Sequence, residues 1–180
     1  MLLDHSSLFS TRHKFSRVTQ LIKMSWTIPR LYQSRPVVVL GGGVLGRRIA
    51  ACFVSAKHHV IIRDPSEDSR NDALKYIKQN IPTYLDRSRG KEGSYEGVKD
   101  LKTAVKDAWL VVEAVPEILS VKEDTFLELE KHAPEDCILA SNSSSYKTSE
   151  LLRKVTDETK SRVLNTHYMM PPKVWGRMYM

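Results

Sequence analysis

One segment constrains the fold of this chain more than any other. Val37-Val38-Val39-Leu40 is an apolar run of strand type, and it stops at Gly41-Gly42-Gly43. From Val44 onward, Leu45, Ile49, Ala50, Phe53 and Val54 recur at helical spacing. A strand that turns through glycines directly into a helix brings backbone N–H groups to a helix N-terminus, where the dipole favours negative charge. Gly41, Gly43 and Gly46 fit the G-x-G-x-x-G spacing of a dinucleotide-binding turn. In that turn Gly41 makes the bend, Gly43 clears room for a pyrophosphate and Gly46 lets helix and strand close together. Val44 and Leu45 complete the set expected to border the phosphates.

A second apolar run, Val60-Ile61-Ile62, ends at Arg63-Asp64-Pro65. Asp64 lies about 20 residues beyond the glycines, where a carboxylate accepts hydrogen bonds from the adenosine ribose hydroxyls. Its charge would repel a 2′-phosphate, which favours NAD over NADP, although the neighbouring Arg63 is of the type that binds one. The competing reading of Asp64 is a turn-starting residue ahead of Pro65.

Beyond Asp64, strand and helix patterns alternate. Ser66 caps a helix expected to run to about Gln79, with Ala73, Leu74 and Ile77 on its apolar stripe. Residues 81–97 are polar and contain Gly90, Gly93 and Gly97, so they read as an excursion off the sheet, with Val98 opening a short third strand. Asp100 caps a short helix over 101–106, and Trp109–Val112 is a strand of buried type. A helix follows over Val121–His132, with Phe126, Leu127 and Leu129 inward. Cys137–Ala140 is the next strand, Ser149–Val155 a helix and Arg162–His167 the last strand. Alternation without hairpin signals implies an α/β, doubly wound, mostly parallel sheet of the Rossmann NAD-binding type. Such sheets bind ligands beyond their carboxyl ends, where Asp64, Glu113, Glu117, Asn142, Ser144 and His167 all fall.

The 180 residues suit a single domain of ordinary size. Residues 36–172 read as that domain, 1–35 as a leader and 173–180 as an atypical tail. The net charge of +7 is unevenly placed: 1–35 holds six basic residues (Arg12, Lys14, Arg17, Lys23, Arg30, Arg35) against the single acid Asp4, so +5 sits there and only +2 on the rest. A near-neutral body argues against a nucleic-acid groove. No apolar run reaches the ~18 residues of a membrane span. Phe15, Val18, Leu21 and Ile22 could line one helix face beside Lys14 and Arg17, as in a mitochondrial transit peptide; a disordered tail, or translation starting at Met24, is the alternative. Cys52 and Cys137 sit in apolar runs and read as reduced, buried thiols of an intracellular protein of mitochondrial matrix or cytoplasm. The adjacent His58-His59 lacks a metal-ligand partner pattern, and no metal is assigned.

Four motifs in order, the glycine turn with Asp64, VVEAVPEILSVKEDTF, ASNSSS and NTHYMMPP, resemble the NAD-binding half of the L-3-hydroxyacyl-CoA dehydrogenase family over residues 36 to about 172. The sugar-acid branch with lambda-crystallin and gulonate dehydrogenase shares most of them. The resemblance implies that Glu117 and Lys122 contact the ribose and nicotinamide side of NAD. It implies that Ser144 hydrogen-bonds the substrate 3-oxygen and the cofactor, and that His167 is the general base toward a hydroxyacyl-CoA. An imidazole of ordinary pKa ~6.5 suits that exchange near neutral pH. Without the resemblance, Ser143–Ser145 is a polar loop, Glu117 and Lys122 a solvated acid and base, and His167 a structural residue.

The pattern also departs from the family. Met170 stands where the family has an Asn at the nicotinamide end, and Tyr179 stands near the place of the acid that pairs with the histidine. The helical domain that closes the acyl-CoA cleft and makes the family dimeric is not in the sequence. A histidine without its orienting carboxylate and closed cleft is expected to be a poor base. The alternatives are a chain cut short, a non-catalytic NAD-binding module and a gulonate-type dehydrogenase fragment.

Overall fold

The computed structural model describes residues 27–85 and 91–168. The leader positions Phe15, Val18, Leu21 and Ile22, the start at Met24, Met170, Pro171-Pro172 and the tail 173–180 lie outside the described residues. No described helix is long and apolar enough to cross a membrane.

Six parallel strands lie in the order β3-β2-β1-β4-β5-β6: β1 Val37–Leu40, β2 Val60–Arg63, β3 Tyr95–Val98, β4 Leu110–Glu113, β5 Ile138–Ser141 and β6 Val163–Asn165. The helices are α1 Val44–Ser55, α2 Glu67–Tyr84, α3 Leu101–Val105, α4 Leu119–His132, α5 Thr148–Leu151 and α6 Asp157–Lys160. Alternation within β1 builds two cores. Val37 and Val39 join Ile49, Val54, Ala73 and Ile77 of α1 and α2. Val38 and Leu40 join Phe126, Leu129 and Leu151 of α4 and α5 on the other face. A strand buried on both faces reads as an unbroken apolar run, which is why β1, β2 and β4 stand out in the sequence.

The register aligns the strand ends: Leu40 faces both Arg63 and Glu113, Glu113 faces Ser141, and Ser141 faces Asn165. The chain leaves β1 toward β2 on one side, and β4 lies on the other. This makes β1/β4 the switch point at which a doubly wound sheet opens a crevice.

Several expectations need correction. β3 ends at Val98 instead of starting there, and Tyr95–Gly97 belong to it. As an edge strand it is only half-buried and carries no apolar run to betray it. Gly93 is there for closeness, since a Cβ would stand 2.0 Å from the His58 carbonyl oxygen. α2 continues past Gln79 to Tyr84 with Pro82 in its last turn. β4 begins at Leu110, not Trp109, β5 begins at Ile138, not Cys137, and β6 covers only Val163–Asn165. The expected 149–155 helix is the shorter α5, and Thr156 then caps the separate α6 by accepting from the Thr159 N–H. On α4, Lys122 takes an inward place, while Leu127 is only half-buried. Cys137 is buried but Cys52 only half-buried; both are free thiols, and burial raises them to about 12 and about 11.

Arg35, grouped with the leader by composition, is strapped to the domain. Its guanidinium donates to both carboxylate oxygens of Asp136 at 2.7 and 2.9 Å and to the carbonyls of Asp107 and Ala108. The Arg35 hydrogen bond holds the Asp136 carboxyl below its ordinary value, against the opposing pull of burial. A depressed folded pKa stabilises the fold above the unfolded carboxyl value and loses that contribution as pH falls through the folded one. Asp136→Asn should therefore cost about 1–2 kcal/mol at neutral pH. The gap to wild type should close below about pH 4. Urea unfolding at several pH values checks this, and a gap independent of pH would count against the strap.

Candidate cofactor and active site

The glycine turn has the shape a pyrophosphate requires. Gly41 has φ +105°, and a Cβ on it would meet the Ala114 carbonyl oxygen at 2.6 Å. A Cβ on Gly46 would lie 1.9 Å from the Gly41 carbonyl oxygen, so only glycine lets α1 approach the turn. At Gly43 nothing lies within 4 Å of where a Cβ would stand, and Gly43 and Val44 are exposed. α1 has no side-chain cap and no acid in its first turn, whereas Ser66 and Asp100 cap α2 and α3. An uncapped helix N-terminus facing open space at the switch point fits the anionic centre of a dinucleotide. Leu45 and Gly46 continue that first turn, with Gly46 buried beneath it.

Asp64 makes the turn contact and also reaches the glycine loop. Oδ1 accepts from the Ser66 N–H at 2.9 Å, a turn contact, while Oδ2 accepts from the Gly42 N–H at 2.8 Å and so ties the end of β2 to the glycine turn. Each oxygen keeps a further lone pair for a ribose hydroxyl. Arg63 turns aside, its Nε donating to the Lys99 carbonyl. Arg47 and Arg48 lie over the Tyr76 ring at 5.0 and 5.8 Å. Asp64→Ala should weaken NAD by about 1–3 kcal/mol and relax discrimination against NADP. Calorimetric titration with both cofactors checks this, and unchanged affinities would leave Asp64 as a turn residue only.

Beyond the switch point, Glu117 and Lys122 come together; Glu117 is exposed, but Lys122 is not a solvated base. Lys122 is 1% exposed, and its Nζ lies 2.7 Å from Glu113 Oε1 and 3.1 Å from Glu117 Oε2. Glu113, wholly buried at the end of β4, also accepts from the Val115 N–H at 3.0 Å and the Ser141 hydroxyl at 2.7 Å. Glu117 reaches the serine segment, accepting from the Ser143 hydroxyl and from the Ser145 N–H at 3.2 Å. Partial burial works to raise the Glu117 carboxyl, but the hydrogen bonds from Ser143, Lys122 and Ser145 outweigh it and hold it below its ordinary value. Glu113 was visible only as a polar residue at a strand end. The signal that it needs a partner is a charge closing the run Leu110-Val111-Val112.

The network presents Ser144. Asn165 Nδ2 donates to the Ser143 carbonyl, and Asn142 Oδ1 accepts from the Tyr168 N–H at 3.0 Å, so β6 grips the segment from its other side. Ser144 is exposed, and its Oγ lies 3.4 Å from His167 Nδ1. Apo sites often show such long contacts, which tighten on binding. His167 makes no ion pair with an acid among the described residues.

Residues 36–176 match the profile described as 3-hydroxyacyl-CoA dehydrogenase, NAD binding domain. The chain belongs to the 3-hydroxyacyl-CoA dehydrogenase family. Its cofactor is NAD, which the open turn at Gly43 and the carboxylate of Asp64 fit. Among curated relatives, the peroxisomal fatty acid beta-oxidation multifunctional protein MFP2 of Arabidopsis thaliana is 31% identical over 160 residues, 82% of this chain and 21% of the relative. A 3-hydroxyacyl-CoA dehydrogenase of Gibberella moniliformis is 33% identical over 77% of this chain and 43% of its own length. The chain thus spans less than half of either relative. Among solved structures, FadB2 of M. tuberculosis aligns with TM-score 0.62 and 30% identity, over 76% of this chain and 50% of that one. The 3-hydroxybutyryl-CoA dehydrogenase of Escherichia coli K12 aligns with TM-score 0.66 and 26% identity, over 78% and 30%.

Proposed function

We propose that this 3-hydroxyacyl-CoA dehydrogenase family chain carries the site for oxidising the 3-hydroxyl of a hydroxyacyl-CoA. The observation that carries the reading is the Ser144–His167 pair, held outward at the carboxyl edge of β5 and β6 beside the Glu117–Lys122 network. With Nδ1–H donating to Ser144 Oγ, the imidazole leaves its Nε2 lone pair for the substrate hydroxyl proton. The Ser144 hydroxyl is then free to donate to the 3-oxygen and hold the reacting carbon in place. NAD, when bound, supplies the hydride acceptor, so loss of the proton to Nε2 and of the hydride from C3 leaves a 3-oxoacyl-CoA. The Glu117 contacts to Ser143 and Ser145 keep the serine segment from yielding as substrate enters.

The test is NADH formation from a 3-hydroxyacyl-CoA, with gulonate alongside and His167→Ala as control. Turnover with the thioester that falls at least about 100-fold in His167→Ala supports the reading. A second reading, a non-catalytic NAD-binding module, is favoured by Tyr179, which stands near the place of the acid that pairs with the histidine in the family. Calorimetric NAD binding without turnover on either substrate would establish it and overturn the first.

A further inference from the structure

The ionic network behind the serine segment is unbalanced. It contains two carboxylates, Glu113 and Glu117, each in contact with the one ammonium of Lys122. Among the described residues no other cation lies within ion-pair distance of either carboxylate. The remaining partners are neutral: the Ser141 hydroxyl and Val115 N–H on Glu113, and the Ser143 hydroxyl and Ser145 N–H on Glu117. These donors stabilise the carboxylates without cancelling charge. One formal negative charge is left; Glu113 and Lys122 are shielded from water, while Glu117, 39% exposed, is the member that water screens.

Its position gives the charge a consequence. In a doubly wound sheet the dinucleotide lies across the switch point. With its adenosine half held by Asp64 at the end of β2, NAD would extend its nicotinamide half over β4 and β5, whose ends carry Glu113 and Ser141. The nicotinamide ring is cationic in NAD+ and neutral in NADH, while the rest of the molecule is unchanged in charge. We propose that Glu113, by leaving this network net anionic, is a specificity-determining residue that shifts the ratio of NAD+ to NADH affinity toward NAD+. Lys122 alone would neutralise Glu117; Glu113 is the second carboxylate that tips the sum. The inference rests on NAD as cofactor, and it needs no turnover.

The measurement is the ratio of the NAD+ and NADH dissociation constants, obtained by calorimetry on the full chain. Glu113→Gln keeps the shape and removes the charge, and should move the ratio toward NADH about tenfold, equivalent to ~1.4 kcal/mol. In the double variant Glu113→Gln/Lys122→Met, Glu117 alone again leaves one negative charge, and the ratio should return toward wild type. A purely structural disturbance would weaken both cofactor forms alike and would not recover in the double variant. Glu117→Gln, at a half-exposed position, should shift the ratio in the same sense and decides the matter if Glu113→Gln fails to fold. A ratio unmoved in the folded variants, or a shift that persists in the double variant, overturns the proposal. Absence of turnover with a hydroxyacyl-CoA would leave the ratio standing, so the two failures are distinguishable.

Discussion

Gly46→Ala is expected to abolish measurable NAD binding and to lower stability by about 3 kcal/mol. The added methyl would sit 1.9 Å from the Gly41 carbonyl oxygen and 3.0 Å from its carbon, both backbone atoms. Gly41 cannot retreat, because its N–H is bonded to the Arg63 carbonyl at 2.8 Å and its own open side faces the Ala114 carbonyl. The strain must be relieved by lifting α1 off β1, which disturbs Ile49 and Val54 in the core below and spoils the phosphate turn above. Gly43→Ala makes the informative contrast. Nothing folded stands in the way of its methyl, so stability should stay within about 0.5 kcal/mol of wild type while NAD binding falls. Urea unfolding paired with calorimetry separates the two, and a Gly46→Ala protein with wild-type stability would refute the close packing of turn and helix.

Lys122→Ala should cost about 3–5 kcal/mol, because it strands the wholly buried Glu113 carboxylate without its cation. Two neutral donors remain on Glu113, but neither supplies a compensating charge. The cost therefore belongs to the orphaned partner more than to the bond itself, and Glu113→Gln/Lys122→Met should recover most of it. Urea unfolding of wild type and both variants measures this. A Lys122→Ala loss under about 1 kcal/mol would mean that water reaches Glu113.

The sequence declared the central strands because they are buried on both faces and so uniformly apolar; Val37–Leu40 and Val60–Ile62 needed no context. It hid β3, whose half-exposed Tyr-Glu-Gly-Val carries neither alternation nor an apolar run. Asp64 shows a different limit. Its turn and ribose readings looked exclusive along the chain, yet its two carboxylate oxygens face different neighbours and serve the turn and the glycine loop together. For Lys122 the clue was present but outweighed by residue type. Lys122, Phe126 and Leu129 are spaced as one helical stripe, and all three are buried. A lysine on such a stripe asks for a buried acid, and the acid that answers is nine positions back in the chain, on a different element. Long-range pairing of that kind has no periodicity to read.

The Arg35 strap also determines how the protein can be handled. Its partners Asp107, Ala108 and Asp136 precede β4 and β5, at the amino edge of a sheet whose four-residue strands span about 13 Å. The nucleotide crevice opens at the opposite edge. A fluorophore, fusion partner or biosensor surface coupled just upstream of Arg35 would therefore be held on the far side of the sheet. Binding measured on an immobilised sample should then equal binding in free solution, which makes that end the natural handle for kinetic work.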